Sequence, residues 1–266
     1  GTLSSLTSIT PNDLRVFHQT LGKNNLVIGV SGDITPDDLK TTLDKIFGDL
    51  PDVERTKTAR EHLANAGKIY VYNQDIPQTV IEIAQEGVSR SDKDYDAAQV
   101  MNFILGESGF GSRLMEEIRE KRGLTYGIYS YFREYNEAST LQISTSTVNK
   151  SVGEMLSLIH SEWDKMIETA VTDKEITDAK SYIIGSLPLS LTSTDAIASI
   201  ALGLQLDQLP IDYLDHHKER IDAVKIQDIT NAAKRILDKD NLTTILVGKP
   251  ENIKNAEIIT VIPNVE

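Results

Sequence analysis

The strongest constraint on the fold of this chain is a helix–turn–strand pattern that occurs twice, about 215 residues apart. The first copy, residues 9–33, is ITPNDLRVFHQTLGKNNLVIGVSGD, and the second, residues 224–249, is VKIQDITNAAKRILDKDNLTTILVGK. In each copy an aspartate begins the helix and a glycine follows the strand, and Asp13 aligns with Asp228. Duplication of an α+β domain explains this match. Convergence on a common local pattern is the alternative.

Duplication predicts a division of the chain into three parts. Residues 1–51 form the end of one domain, residues 52–66 are a polar linker, and residues 67–266 are a complete second copy. With copies of equal length, the first copy lacks about 150 upstream residues. The chain begins with Gly1 rather than methionine, which is typical of a processed chain or of part of a longer one. We therefore expect tandem duplication in the full-length protein.

Alternation of apolar and polar residues predicts a mainly antiparallel sheet in the second copy, with helices packed on one face. The expected strands are Lys68–Asn73, Gln78–Gln85, Thr125–Tyr135, Thr140–Val148 and Leu242–Val247. A hairpin turn around Asn136 and Glu137 is expected to join the third strand to the fourth. The predicted fold class is therefore α+β, a two-layer domain.

Helical spacing of apolar residues, with capping residues and glycines at the ends, predicts the helices. In the second copy they are Tyr95–Leu105, a helix from the Ser112 cap to Gly123, Val152–Ile167, a helix that opens at Thr172, Thr194–Leu206, Tyr213–Ile221 and Ile226–Leu237. Residues 1–50 predict a separate helix–strand–helix unit, with its strand at Leu26–Val30.

The composition excludes several classes of function. Acidic residues outnumber basic ones by 40 to 27, and the net charge of −13 argues against a nucleic-acid binder or docking on an anionic membrane. The same charge permits attraction of basic peptides, although many soluble proteins are acidic. The absence of cysteine excludes disulfides, thiolate metal sites and a cysteine nucleophile. No apolar run is long enough for a transmembrane segment, and no signal peptide is visible.

Common catalytic and metal-binding motifs are missing from the sequence. The five histidines form neither HExxH nor HxxEH, so we predict no metal ligand and no zinc in this chain. Gly106, Gly109 and Gly111 lie in a loop without the GxSxG of a nucleophile elbow or the lysine of a phosphate-binding loop. A glycine-rich turn between helices is the simplest interpretation of this loop, which we include in the candidate site.

The most unusual segment follows the glycine-rich loop. Residues 112–126, SRLMEEIREKRGLTY, predict a charged helix that ends at Gly123 and enters a strand at once. Arg119 lies in the last turns of the helix and Tyr126 opens the strand, so a cation and a phenol can meet at the junction. A solvated helix face is the alternative that composition alone favours.

This segment carries a resemblance to a known family. Residues 109–130, GFGSRLMEEIREKRGLTYGIYS, resemble the signature of the second domain in the pitrilysin and mitochondrial-processing-peptidase family of zinc peptidases, in its bacterial short-chain branch. Residues 9–39 resemble the end of the first domain of that family. Similar segments at Thr172–Gly185, Leu209–Tyr213 and Leu246–Pro250 extend the resemblance over nearly the whole chain.

The resemblance implies tandem α+β domains, with zinc bound by HxxEH and a distal glutamate in the first domain of a catalytic chain. Because those ligands are missing here, zinc is expected in an absent first domain or in a partner subunit, and this chain alone is expected to be inactive. By resemblance, Arg119 is a substrate-binding residue and Tyr126 a catalytic one, and both reach a peptide across a chamber. A tyrosine hydroxyl can stabilise a developing oxyanion, and an arginine fork can hold carbonyl oxygens.

Two functions from different classes follow. The first is the substrate-binding, non-zinc portion of a zinc-dependent peptidase that acts on peptides or unfolded proteins. The alternative is a catalytically silent structural or assembly subunit of the same fold. The Arg119 and Tyr126 pair favours the first. The expected partner is a second copy or an HxxEH-bearing chain, giving a homodimer or heterodimer, and resemblance to bacterial members favours the periplasm over the cytoplasm.

Overall fold

The computed structural model describes residues 3–54, 59–64, 66–135 and 137–260, which divide into two compact units. Among the described residues, unit 1 contains those up to residue 59 together with 188–210, and unit 2 contains those of 60–187 and 211–260. The domain limits predicted from the sequence stay predictions, and residues 188–210, which they place in the second domain, lie in unit 1.

The helices and strands of the described residues have the following bounds. The helices are α1 (Leu3–Ser8), α2 (Pro11–His18), α3 (Pro36–Phe47), α4 (Tyr95–Asn102), α5 (Val152–Glu168), α6 (Asp173–Ser190), α7 (Thr194–Leu206), α8 (His217–Ala223) and α9 (Ile226–Ile236). The strands are β1 (Ile69–Asn73), β2 (Gln78–Glu86), β3 (Ile128–Tyr135), β4 (Ala138–Val148), β5 (Thr243–Gly248) and β6 (Ala256–Ile259). No single one of these helices is long and apolar enough to cross a membrane; α6 and α7 meet those criteria only when taken together across their break.

All these strands lie in one six-stranded sheet of unit 2, in the order β3-β4-β2-β5-β1-β6. The pairs β3–β4, β4–β2 and β2–β5 are antiparallel, whereas β1 pairs parallel with β5 and with β6. The α+β class is confirmed, but the sheet is mixed and has one strand more than predicted. Strands β1 and β5 can pair in parallel because a long connection that contains helices separates them along the chain, as parallel pairing requires.

One face of the sheet carries the core of unit 2. Along β2, Ile81 and Ile83 are buried while Val80 and Glu82 are exposed, as the two-residue period of a strand requires. Helices α4, α5 and α9 cover the buried face and contribute Met101, Trp163 and Ala232, among others, to one continuous apolar cluster. The prediction that amphipathic helices pack on one face of the sheet is therefore confirmed.

A buried glutamine joins the sheet to these helices. Gln85 is 3% exposed, and its Oε1 accepts hydrogen bonds from Trp163 Nε1 and from the backbone N–H of Asp238, both at 3.1 Å. Its Nε2 donates to the backbone oxygen of Ile236 at 2.5 Å. Because a buried amide is costly unless it is satisfied, these bonds fix β2 relative to α5 and the end of α9.

The two copies of the repeat begin with the same helix cap. In α2, Asp13 Oδ2 accepts from the backbone N–H of Thr10 at 2.7 Å. In α9, Asp228 Oδ2 accepts from the backbone N–H of Lys225 at 2.8 Å. A carboxylate at the third helical position satisfies one of the free N–H groups at a helix start, so the aligned aspartates perform the same local task.

The copies also share their turns and an unusual backbone conformation. A 3₁₀ turn follows each helix, Lys23–Asn25 in the first copy and Lys239–Asn241 in the second. Gly32 has a φ of 154° and Gly248 a φ of 151°. The local structures of residues 9–33 and 224–249 are thus similar, as duplication requires, and duplication stays a prediction.

The environments of the two copies differ. Strand β5 lies between β2 and β1, and α9 has four buried residues, including Ile229 and Ala232. Leu26–Val30, by contrast, has no strand neighbour in the described part of the chain, and α2 contains no buried residue. The predicted strand at Leu26–Val30 is therefore wrong for this structure, because an extended segment becomes a strand only through a paired neighbour. Phe17 and other large apolar residues of unit 1 remain exposed.

Three further predictions need correction. Strand β3 begins at Ile128 rather than Thr125, because Thr125 Oγ1 donates to the backbone oxygen of Gly127 at 2.9 Å and holds these residues in a turn. Helix α8 begins at His217 rather than Tyr213, and β6 was not predicted at all. The predicted hairpin residue Asn136 lies outside the described residues.

The contact between Gly248 and β2 predicts a large effect of one methyl group. A Cβ at Gly248 would lie 2.5 Å from Thr79 Oγ1 and 2.8 Å from Thr79 Cα, at a φ that side chains disfavour. We expect Gly248→Ala to lower the free energy of unfolding by about 2 kcal/mol or more. The control is Gly185→Ala in α6, where a Cβ meets nothing within 4 Å; it should raise stability by about 0.5–1 kcal/mol. Urea unfolding measures the free energy of unfolding of both variants. Equal changes in Gly248→Ala and Gly185→Ala would contradict the close contact between Gly248 and Thr79.

Candidate functional site

The glycine loop, Gly106–Gly111, begins within one π-helical segment, Phe103–Glu107, and a second segment, Met115–Glu120, follows it. In the second segment the backbone N–H of Lys121 donates to the oxygen of Glu116 at 3.0 Å, one residue further back than in an α-helix. Ordinary helices were predicted here. π-helical segments are rare and are found frequently at functional sites, so the backbone is unusual on both sides of the loop.

The three loop positions require glycine for different physical reasons. Gly106 is buried against β3, where a Cβ would lie 2.5 Å from Ser130 Oγ and 2.9 Å from Ser130 N. Gly109 and Gly111 have φ values of +66° and +96°, which side chains rarely adopt. Ser112 ends the loop and caps the next helical turn as predicted, and its Oγ donates to the oxygen of Gly109 at 2.8 Å.

An ion pair anchors the end of the loop to α6. Arg113 Nε and Nη2 donate to the two carboxylate oxygens of Glu175 at 2.7 and 3.1 Å. Glu175 also accepts from the backbone N–H of Thr172 at 2.8 Å, which completes a capping box at the helix start predicted for Thr172. Partial burial alone would raise the pKa of Glu175, but the hydrogen bonds from Arg113 and Thr172 outweigh it and lower the pKa to about 2.

Arg119 lies on the second π-helical segment and contacts two aromatic rings. Its guanidinium carbon is 4.5 Å from the ring centre of Phe110 and 5.7 Å from that of Tyr126. Nη1 donates to Glu120, and no other acceptor for this guanidinium is found among the described residues. The side chain is 26% exposed. The predicted meeting of Arg119 and Tyr126 is therefore present in the structure, with Phe110 as a third member.

Tyr126 lies in the turn before β3 rather than in the strand itself. Its side chain is 93% exposed, and its hydroxyl has no hydrogen-bond partner in the part of the chain that the structure describes. Two nested backbone bonds end the preceding helix at Gly123: Gly123 N to Arg119 O at 2.8 Å and Leu124 N to Ile118 O at 3.1 Å. Because the helix ends in this tight turn, Tyr126 lies beside the guanidinium of Arg119.

Sequence reasoning missed two aromatic members of this cluster. Phe110 is 70% exposed between Gly109 and Gly111, and a large apolar residue inside a glycine loop was an available signal. Tyr129, on the solvent side of β3, lies with its ring 2.9 Å from the position of a Cβ at Gly127 and 3.5 Å from one at Gly109. No local pattern marks Tyr129, because its contacts join two separate segments.

The other charges near Arg119 form ion pairs of their own. Glu117 accepts hydrogen bonds from Lys121 and, at 2.8 Å, from Arg122 Nη1. These bonds lower the pKa of Glu117 to about 2. Since Glu117 is satisfied by the two cations that follow the helix, its charge does not have to be balanced by Arg119.

A polar network lies under the start of the glycine loop. The fully buried Asn102 donates to Glu107 Oε2 at 2.9 Å and accepts from Ser130 Oγ at 2.7 Å. Although Glu107 as a residue is exposed, desolvation of its carboxyl raises the pKa, and the bond from Asn102 opposes that shift. The network ties the first π-helical segment to β3.

The described residues do not fit a zinc site. Within residues 3–54, 59–64, 66–135 and 137–260, no three histidine, cysteine, aspartate or glutamate side chains are grouped so that they could hold a metal ion. The sequence also lacks HxxEH. The candidate site presents hydrogen-bond donors and aromatic surface.

The Arg113–Glu175 pair predicts a pH dependence of stability. Because the pKa of Glu175 is lowered from 4.5 to about 2, its stabilisation is complete above about pH 4.5 and is lost as the pH falls towards 2. Glu175→Gln should lower the free energy of unfolding at pH 7. It should also reduce the further decrease of that free energy between pH 4.5 and 2, as measured by urea unfolding. Glu154→Gln, at an exposed carboxylate of α5, is the control. An acid profile of Glu175→Gln parallel to that of the wild type would contradict the assignment.

Comparisons with known proteins agree with the fold. The model of the family described as the peptidase M16 inactive domain matches residues 8–183, more than half of the chain. An uncharacterized zinc protease of Streptomyces coelicolor is 26% identical over 90% of this chain, and a non-peptidase homolog of Helicobacter pylori is 27% identical over 96%. The chain spans only 54% and 59% of the lengths of these two relatives.

A solved structure supports the same assignment. The crystal structure of a peptidase M16 inactive domain from Pseudomonas fluorescens matches with a TM-score of 0.86 and 29% identity, covering 97% of this chain and 61% of that one. The resemblance to a zinc-peptidase family found in the sequence is thus confirmed. This chain belongs to the peptidase M16 inactive-domain family.

Proposed function

We propose that this chain is the substrate-binding, non-zinc portion of a zinc-dependent peptidase and that Arg119 and Tyr126 hold an extended peptide. One observation carries the proposal: the guanidinium of Arg119 lies over the rings of Phe110 and Tyr126, while the hydroxyl of Tyr126 faces solvent. An arginine and exposed tyrosine rings are the residue types that most often dominate protein interfaces.

The chemistry of the pair suits a peptide backbone. A guanidinium presents several N–H donors in one plane, which match the carbonyl oxygens of an extended chain. A phenol adds a single donor that can be directed at one carbonyl oxygen, and such a donor stabilises negative charge that develops there. The net charge of −13 favours peptides that carry basic residues.

The proposal divides one active site between two domains. This chain supplies contacts to the peptide and no metal ligands, so hydrolysis requires an HxxEH-bearing domain. That domain belongs either to a longer form of the same chain or to a partner in a homodimer or heterodimer. Unit 1 supports the first arrangement, because its exposed apolar residues and the unpaired segment Leu26–Val30 suit the end of a preceding domain of the same fold. In that arrangement residues 52–66 are the linker.

A silent structural or assembly subunit is the second candidate function. The Helicobacter pylori relative, which is named a non-peptidase homolog, favours it. Such a subunit has no need to bind peptide through Arg119 and Tyr126. Peptide affinity, rather than cleavage, therefore separates the two functions in this chain.

Binding of a fluorescein-labelled, lysine-containing casein peptide, followed by anisotropy, tests the proposal. Loss of a charged donor costs about 1.5–3 kcal/mol, so Arg119→Ala should weaken peptide binding by about 10-fold or more. Loss of a neutral donor costs about 1 kcal/mol, so Tyr126→Phe should weaken peptide binding about fivefold. The matched controls are Arg133→Ala and Tyr135→Phe, an exposed pair on β3 with a guanidinium-to-ring distance of 5.4 Å.

Wild-type affinity in both site variants, or equal losses in the Arg133 and Tyr135 controls, would overturn the substrate-binding function. The silent subunit would then be the better account. Because Tyr126 is almost fully exposed, Tyr126→Phe should leave the thermal midpoint unchanged, so that a loss of affinity is not a loss of folding.

A further inference from the structure

Phe110 occupies a position with an unusual cost. Its ring is 70% exposed, although burying an apolar ring away from water would stabilise the protein. The glycines on both sides of it have positive φ, so the backbone too is in a conformation that most residues avoid. The Phe110 ring contacts Arg119, with 4.5 Å between the ring centre and the guanidinium carbon, and this contact can explain why the ring is held at the surface.

Tyr129 connects the two segments that surround Arg119. Its ring lies 3.5 Å from the Cβ position of Gly109, in the loop that carries Phe110. It also lies 2.9 Å from the Cβ position of Gly127, in the turn that carries Tyr126. The loop and the turn therefore pack against the same ring, which fixes their separation.

A free arginine side chain has many rotamers, and a ligand that freezes them must offset the lost conformational entropy. The Phe110 ring, with its centre 4.5 Å from the guanidinium carbon, restricts those rotamers before any ligand arrives. The bond from Nη1 to Glu120 restricts rotation within the plane. The remaining N–H groups of Arg119 have no acceptor among the described residues and are left for a ligand oxygen.

We propose that Phe110 is a positioning residue for Arg119, with Tyr129 as the brace that holds the glycine loop in place. Phe110 fixes the guanidinium so that its open N–H groups are presented to a carbonyl or carboxylate oxygen of the peptide. The peptide part of this inference rests on the proposed function; the fixed orientation of Arg119 does not.

Two measurements on the whole chain test the inference. The first is the ¹H–¹⁵N NMR signal of the Arg119 Nε–H group, which a ring over the guanidinium shifts upfield. Phe110→Leu should move this signal towards the position of a solvated arginine, whereas Phe110→Tyr should retain the shift. Tyr135→Leu, which removes the ring beside Arg133, should leave the Arg119 signal unchanged.

The second measurement is the affinity for the labelled casein peptide. Phe110→Leu should weaken binding about 2- to 5-fold, the factor that corresponds to about 0.5–1 kcal/mol for an exposed cation–π contact, and Phe110→Tyr should restore it. The thermal midpoint should not change, because the ring is mostly exposed. Gly127→Ala, which displaces the Tyr129 ring, should shift the same Arg119 signal.

The outcomes separate the two proposals. If the wild type binds no peptide but its Arg119 signal is shifted and depends on Phe110, the proposed function fails and the positioning role stands. If Phe110→Leu leaves the Arg119 signal unchanged, the positioning role is wrong whatever the affinity. A loss of affinity that Phe110→Tyr does not restore, with the Arg119 signal unmoved, also contradicts it.

Discussion

The close approach of Gly106 to Ser130 determines the arrangement of the whole candidate site. A side chain at residue 106 would collide with the backbone and hydroxyl of Ser130, so only glycine lets the first π-helical segment lie against β3. The buried Asn102 strengthens this contact by bonding to Ser130 and to Glu107. With the segment held there, the loop that follows can bring Phe110 to Arg119 beside the turn that carries Tyr126.

Local signals in the sequence predicted the elements that depend on local chemistry. The helix starts at Asp13 and Thr172 and the helix end at Gly123 are all present, because each needs only neighbours within a few residues. The parallel pairing of β1 with β5 and β6 was missed, because strand direction is set by distant connections. Leu26–Val30 has strand composition, yet a strand exists only when a partner is beside it.

The same distinction applies to the candidate site. Arg119, Tyr126 and the loop glycines lie within one continuous stretch, so a motif could identify them. Phe110 and Tyr129 belong to the same stretch, but no motif marks them, because their contacts form only when the loop, the helix and the strand have folded together: a ring over a guanidinium and a ring between two glycines. The family assignment gives the fold, whereas these contacts are the basis of the proposed peptide-binding function.

The most direct test of peptide binding at this surface is hydrogen exchange with and without a saturating casein peptide. We expect slower exchange of backbone amides in residues 106–111 and 119–130 and unchanged exchange at β6, which forms the opposite edge of the sheet. Protection of β6 alone, or no protection in either segment at saturation, would contradict the claim that the Arg119 and Tyr126 surface holds the peptide.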